Sequence, residues 1–249
     1  MKEDVVGRLR EAYDRIVKRC PICKGSATII VAGNATRCQC EKEYLFVKKM
    51  EEGHIPLKYQ DAEFSMYVDR ENERSKQALV SYVAKMEENR RRGLSLYLQG
   101  THGSGKTYLV NALLKEAIRR GFTVRFITFD MLVTLFTGTW SDPEVKREFE
   151  RDVMRVDFLA VDECVKRTNV GIDLARTAFD ATFRDRSNAL MPIFLTSNEP
   201  LDLQALTGGG NLFGENLLSL FSEHMITLTF VGADYRPSIG RNLRDSLKS

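Results

Sequence analysis

The chain reads as an α/β protein, with a parallel five-stranded sheet between helices and a small N-terminal zinc-binding domain ahead of it. Three observations carry that reading. From Leu94 onward, short apolar runs alternate with stretches of helical periodicity, the pattern of strand–helix–strand crossovers. Gly100-Thr-His-Gly-Ser-Gly-Lys106-Thr107 fits the phosphate-cradling pattern G-x-x-x-x-G-K-[ST], with a strand before it and a helix after it. Cys20, Cys23, Cys38 and Cys40 form two close pairs on either side of a turn-rich stretch.

The elements follow in order. Val5, Leu9, Tyr13, Ile16 and Val17 recur at helical spacing, which predicts an amphipathic helix over 5–17. Cys20-Pro-Ile-Cys23, a Gly/Ser turn, the β-prone run Thr28–Val31 and Cys38-Gln-Cys40 come next. A second helix is expected over 41–52, ending near Gly53. Residues 53–70 read as a linker, since Pro56 discourages helix. A charged helix over 71–92 ends at Gly93. Strands are predicted at 94–99, 123–128, 156–161, 192–196 and 225–231, and helices at 106–120, 144–154 and 173–187. The expected division is 1–52 as the zinc-binding domain, 53–70 as linker, 71–236 as the core and 237–249 as a tail.

Composition narrows the class of protein. Hydrophobic content of 43% and charged content of 29% are ordinary for a globular domain. No apolar run approaches a membrane span, and the N-terminus Met-Lys-Glu-Asp is charged rather than signal-like. A cytoplasmic location and no membrane partner are the expectations. Residues 1–56 hold 11 Lys/Arg against 8 Asp/Glu, so they carry the whole net charge of +3. That balance does not announce nucleic acid by charge alone.

The motifs carry the chemistry. In Gly100, Thr101, His102, Gly103, Ser104 and Gly105 the glycines let backbone amides turn inward on phosphates, at a helix N-terminus whose dipole favours anions. Lys106 would reach the β/γ-phosphates and the Thr107 hydroxyl would ligate Mg²⁺, with Tyr108 opening the helix beside them. The expected ligand is a nucleoside triphosphate. Val156–Asp162–Glu163 is an apolar strand ending in two carboxylates. Asp162 would hold Mg²⁺ through water, and Glu163 would polarise the water that attacks the γ-phosphate. The other reading is a strand that simply ends in acidic surface. Asn198 closes the next strand, where it could reach the γ-phosphate or its attacking water; alone, it would be turn chemistry. Cys20, Cys23, Cys38 and Cys40 suit a closed structural Zn²⁺ site, against the alternative of reduced thiols without metal. Cys164 reads as a small half-buried residue, and the three histidines stand isolated.

In this order, these residues resemble the AAA+ ATPases of the DnaC/DnaI helicase-loader and IstB transposition-regulator group. The resemblance runs from about Ile55 to Arg236. It enters at Ile55-Pro-Leu-Lys-Tyr-Gln-Asp-Ala-Glu-Phe64, passes through Phe129-Asp-Met-Leu-Val133 and Phe183-Arg-Asp-Arg186, and closes on Phe230–Arg236. The cysteine arm is similar to that of helicase loaders, phage-encoded ones included, and tips the choice towards them. The resemblance implies an ATPase that loads a replicative hexameric DNA helicase onto single-stranded DNA at replication initiation. The N-terminal domain would grip the helicase, the core would self-assemble into a ring or spiral, and no helical lid is expected after Arg236. The family usually has Ser-Arg-Leu before the last strand, the arginine acting on a neighbour's ATP. Here the matching residues are Ser219-Leu220-Phe221. Slow hydrolysis follows, or replacement by Arg184 or Arg186, of which Arg186 occupies a position where the family often has arginine; a helix-end charge is the plain alternative. Two rivals remain: an IstB-like regulator of transposition that binds duplex DNA, and a nucleotide-gated adaptor that barely hydrolyses ATP.

Overall fold

The computed structural model describes residues 2–164, 172–198, 220, 222–232 and 234. The N-terminal part starts with helix α1, Lys2–Tyr13, continued by a π turn over Asp14–Lys18. Strands β1, Thr28–Val31, and β2, Asn34–Arg37, pair antiparallel with Val31 opposite Asn34. Ala32 (φ 50°) and Gly33 (φ 81°) both take the left-handed conformation, the signature of a two-residue type I′ hairpin turn. Helix α2, Gln39–Glu52, closes the module. Its core is Val17 and the four cysteines, flanked by Tyr13, Ile16, Ile29 and Tyr44.

Residues 53–70 are folded against the core. Two 3₁₀ turns, Leu57–Tyr59 and Phe64–Met66, occupy the stretch, and Ile55, Ala62 and Tyr67 are buried. Lys115 Nζ donates to Ala62 O at 2.8 Å and to Glu63 Oε1 at 3.0 Å, which fastens the segment to the following helical layer. The charged run over 71–92 forms two helices, α3 at Glu73–Ala84 and α4 at Met86–Arg91, broken at Lys85. Asn89 Nδ2 satisfies the Tyr82 carbonyl at that break, 3.0 Å away.

The remaining elements alternate. They are β3, Ser95–Gly100; α5, Lys106–Arg119; β4, Val124–Thr128; α6, Phe129–Gly138; α7, Pro143–Phe149; β5, Phe158–Asp162; α8, Ile172–Asn188; β6, Ile193–Ser197; and β7, Met225–Phe230. Five parallel strands stand in the order β4-β5-β6-β3-β7. Side chains alternate between two cores. Phe126, Phe158 and Phe194 face the α3/α5 layer with Leu79, Leu109 and Leu113, while Ile127, Leu159 and Leu195 face α6–α8 with Phe129, Phe179 and Phe183. Burial on both faces is what makes these strands near-continuous apolar runs. Among the described residues, no helix is long and apolar enough to cross a membrane.

Three further features differ from the sequence expectation. Helix α6 follows β4 without a break; the Thr128 hydroxyl caps it by accepting from Met131 N at 3.4 Å. The stretch expected as one helix over 144–154 ends as a π turn over Glu150–Met154. The hairpin partner β2 was also not foreseen.

Candidate functional site

At the carboxyl end of β3 the chain turns so tightly that a side chain is excluded. Gly100 has φ 134°, and a Cβ there would lie 1.7 Å from Phe230 O of the neighbouring β7. Thr101 stitches the loop to that strand, its N–H donating to Phe230 O at 3.1 Å and its hydroxyl to Gly232 O at 3.0 Å. Gly105, with φ 88°, enters α5 against Tyr67, whose ring carbon would sit 2.5 Å from a Cβ. The Tyr67 hydroxyl donates to Ser104 O at 2.8 Å, so the packed segment 53–70 supports the loop from behind. Ser104 is fully buried and bonds Thr101 O at 2.8 Å. Lys106 Nζ donates to Gly100 O at 2.9 Å, Thr101 O at 2.7 Å and Asn198 Oδ1 at 3.0 Å. A buried ammonium is thereby held among oxygens where the loop meets the end of β6.

Asp162 is the last residue of β5, beside that cation. Its Oδ1 accepts the Thr107 hydroxyl at 2.9 Å and also that of Thr196 from β6. Burial pushes the Asp162 carboxyl above the usual range; the Thr196 and Thr107 hydrogen bonds oppose this, and the Glu163 charge adds to it. Glu163 takes a left-handed conformation (φ 57°), and its N–H donates to Thr196 Oγ1 at 3.1 Å. Non-glycine backbone in this region is held only where surroundings over-determine it, and such positions cluster at functional sites.

The structure thus brings Gly103, Gly105, Lys106, Thr107, Tyr108, Asp162, Glu163 and Asn198 to one cavity of about 660 Å³. His102 lies on the exposed crown of the loop. The opposite wall, Tyr59, Met66, Tyr67 and Val68, was not foreseen. Tyr67 and Tyr108 stack with centroids 6.5 Å apart, offering an aromatic surface beside the phosphate loop. The aromatic lead-in to the motif was the available signal.

Two residues proposed to replace the missing arginine are not in this cluster. Arg186 is fully buried at the opposite edge of the sheet. Its Nη1 donates to Val153 O at 2.7 Å and Met154 O at 3.1 Å, and its Nη2 to Val156 O at 2.9 Å and Pro192 O at 3.0 Å. Val156 and Pro192 precede β5 and β6, a strand length of roughly 16 Å from the phosphate loop. Burial lowers the Arg186 guanidinium to about 9. A residue so enclosed clamps the π turn to the sheet and cannot reach a neighbour's nucleotide. The assignment of Arg186 as a catalytic residue is corrected on that ground. Arg184 is half-exposed and pairs with Asp180 at 2.7 Å. Leu220 packs partly buried on the α6–α8 core, while Arg236 lies outside the described residues.

The four N-terminal cysteines converge. All four sulfurs lie within 4.8 Å of one another, with Cys20–Cys38 at 3.8 Å and Cys23–Cys40 at 3.4 Å, and none forms a disulfide. Tetrahedral Zn–S bonds of about 2.3 Å require sulfur separations of roughly 3.8 Å, so the donor set fits. Burial works to raise the Cys23 thiol. Hydrogen bonding with Cys40 Sγ and from the Gly25 amide outweighs it and brings Cys23 down to about 6. Cys40 is pushed up by burial and by the same contact. Cys164 is buried beyond Glu163, and burial raises its thiol well above normal.

The sequence pattern of the family described as IstB-like ATP binding protein matches residues 50–234. The chromosomal replication initiator protein DnaA of Aliarcobacter butzleri is 28% identical over 103 residues, 41% of this chain and 23% of that protein. The insertion sequence IS21-like putative ATP-binding protein of Bacteroides fragilis is 35% identical over 74 residues, 29% of this chain and 36% of that protein. The chain therefore spans only about a quarter to a third of the length of these relatives. In structure the chain is similar to the DnaC helicase loader, with TM-score 0.58 and 22% identity, over 70% of this chain and 99% of that one.

Proposed function

The chain belongs to the IstB-like ATP binding protein family, and from that premise we propose that it is an AAA+ ATPase that loads a replicative hexameric helicase onto single-stranded DNA. In this reading it works in the cytoplasm, as a ring or spiral of like subunits. The observation that carries the reading is the packing of α2, which leaves the cysteine cluster, against α5, which leaves the phosphate loop. A partner gripped by the N-terminal module and a nucleotide held by the loop would then act on adjoining rigid helices.

The proposed chemistry uses the site as built. The amides of Gly103–Lys106 and the Lys106 ammonium receive the β- and γ-phosphates. Thr107 and Asp162, already 2.9 Å apart, would hold Mg²⁺, which supplies neutralisation of the phosphate charge. Glu163 orients and polarises the attacking water, and Asn198, anchored on Lys106, fixes its angle. The tyrosine wall receives the base by stacking. Hydrolysis is slow even when subunits assemble, because Leu220 brings no charge to a neighbouring site and an arginine there is worth orders of magnitude. The thiolates of Cys20, Cys23, Cys38 and Cys40 would hold Zn²⁺ as a structural ion.

The rival within the family is an ATP-dependent regulator of transposition acting on duplex DNA, favoured by the likeness to the IS21-type protein. The partner separates the two. The hairpin module exposes Ile22 and Ile30, and affinity capture with the full chain and with its Ile22→Glu/Ile30→Glu variant reads the partner directly. Capture of the replicative helicase by the first and not the second is the expected result. Capture of a transposase, or equal helicase capture by both, contradicts it.

A further inference from the structure

Thr196 sits where the pairing of β5 with β6 breaks off, and one hydroxyl does there what a backbone rung would otherwise do. The ladder between the two strands ends at Val161 opposite Leu195. Yet β5 continues beside β4 to Asp162, and β6 continues beside β3 to Ser197. Lower in the sheet, Leu159 N donates to Pro192 O at 3.3 Å. Carried two rungs along both strands, the same spacing would give Glu163 N to Thr196 O. The Thr196 carbonyl instead accepts from Cys164 N at 2.8 Å. Glu163 is therefore one residue too many on β5, a bulge, and its φ of 57° is the turn of backbone that takes up the excess.

A bulge leaves the N–H of its extra residue without a rung. Here the Thr196 hydroxyl accepts it, 3.1 Å from Glu163 N, and gives its own single proton to Asp162 Oδ1. Serving both residues fixes the hydroxyl in one orientation. Side chains covering a loose N–H are often plain structure. What sets this one apart is the residue that it holds. Consecutive residues of a regular strand point to opposite faces, but Asp162 and Glu163 both line the nucleotide cavity. The bulge resets that alternation, so the aim of the Glu163 carboxylate depends on how the bulge is held. Thr196 is buried and borders the same cavity.

We infer that Thr196 is a positioning residue for hydrolysis: its hydroxyl holds the Glu163 bulge and thereby aims the Glu163 carboxylate into the nucleotide cavity beside Asp162. Thr196 has this role only if the chain hydrolyses ATP as proposed. It acts through Glu163 and not on the phosphates themselves.

The test compares the full chain with Thr196→Val, which keeps the branched shape without the hydroxyl, and Thr196→Ser, which keeps the hydroxyl. Glu163→Gln and the double variant Thr196→Val/Glu163→Gln complete the set. ATP affinity and single-turnover hydrolysis are measured for each. Thr196→Val should hydrolyse about ten- to a hundredfold more slowly, with ATP affinity within about threefold of wild type. Thr196→Ser should recover to within about fivefold of the wild-type rate. In the Glu163→Gln background, Thr196→Val should add no more than about a threefold loss, because the carboxylate it misaims is already gone. Unchanged hydrolysis in Thr196→Val overturns the inference. So does loss of ATP affinity in step with hydrolysis, no recovery in Thr196→Ser, or a full further loss in the double variant, each the mark of a hydroxyl that only holds the fold. A wild type that does not hydrolyse ATP, or a Glu163→Gln variant as fast as wild type, sinks the ATPase reading itself and the role of Thr196 with it.

Discussion

Asp162 shows stability and function pulling apart at one side chain. Burial is the largest influence on it and raises its carboxyl above the unfolded value. A carboxyl shifted upward contributes stability below the unfolded pKa, about 3.9, and loses it as pH rises through the folded value. At neutral pH the charged form is therefore a burden. Asp162→Asn is expected to raise Tm at pH 7, with the gain shrinking towards pH 3, and to abolish Mg²⁺-dependent nucleotide binding; melts across pH with a binding titration check both. Arg186 predicts the reverse. Arg186→Met leaves four carbonyls without a donor and should destabilise by about 3 kcal/mol. Mixing it with wild type should leave turnover per active wild-type subunit unchanged. At this scale the phosphate loop, Asp162, Glu163 and Asn198 were legible because each motif ends a strand at the same edge. Arg186 was misplaced because its helix position says nothing of which sheet edge its side chain reaches.

At the scale of elements, the N-terminal module has little to hold it besides its cysteines. Among the described residues, Val17 is the only fully buried aliphatic side chain packed with them. So small a core is normally stapled by metal, and removing the metal unfolds such modules. Cys38→Ser should lower bound zinc from about one per chain to near zero, by metal analysis, and melt the β1–β2 hairpin while leaving ATP binding intact. Retained zinc would contradict the four-sulfur site. The helices and strands of the core were readable from periodicity, but three elements were not. β2 exposes all four of its residues, so no alternation marks it. α6 runs on from β4 with no glycine or proline between them, and the joined apolar stretch hides the change of period. The π turns reflect packing rather than local sequence.

Across the whole molecule, the order β4-β5-β6-β3-β7 puts the phosphate-loop strand between β6 and β7. That order gathers Lys106, Asp162 and Asn198 from three separated segments. Parallel crossovers were legible; the strand order was not, because it depends on which helix covers which face. Residues 53–70 mark the same limit, since Pro56 argued for an extended linker while burial of Ile55, Ala62 and Tyr67 made it a wall of the site. Through α2, which packs on α5, the N-terminal module is joined to the helix that leaves the phosphate loop, a linkage that under the proposed function would suit an ATP-sensing switch better than a fast motor. The central claim is that these segments form one ATP-hydrolysing site. Its most direct test is to measure ATP affinity and single-turnover hydrolysis in wild type and Glu163→Gln. Equal affinity with hydrolysis reduced roughly a hundredfold or more is the predicted result. Unchanged hydrolysis, or no ATP binding by the wild type, would contradict it.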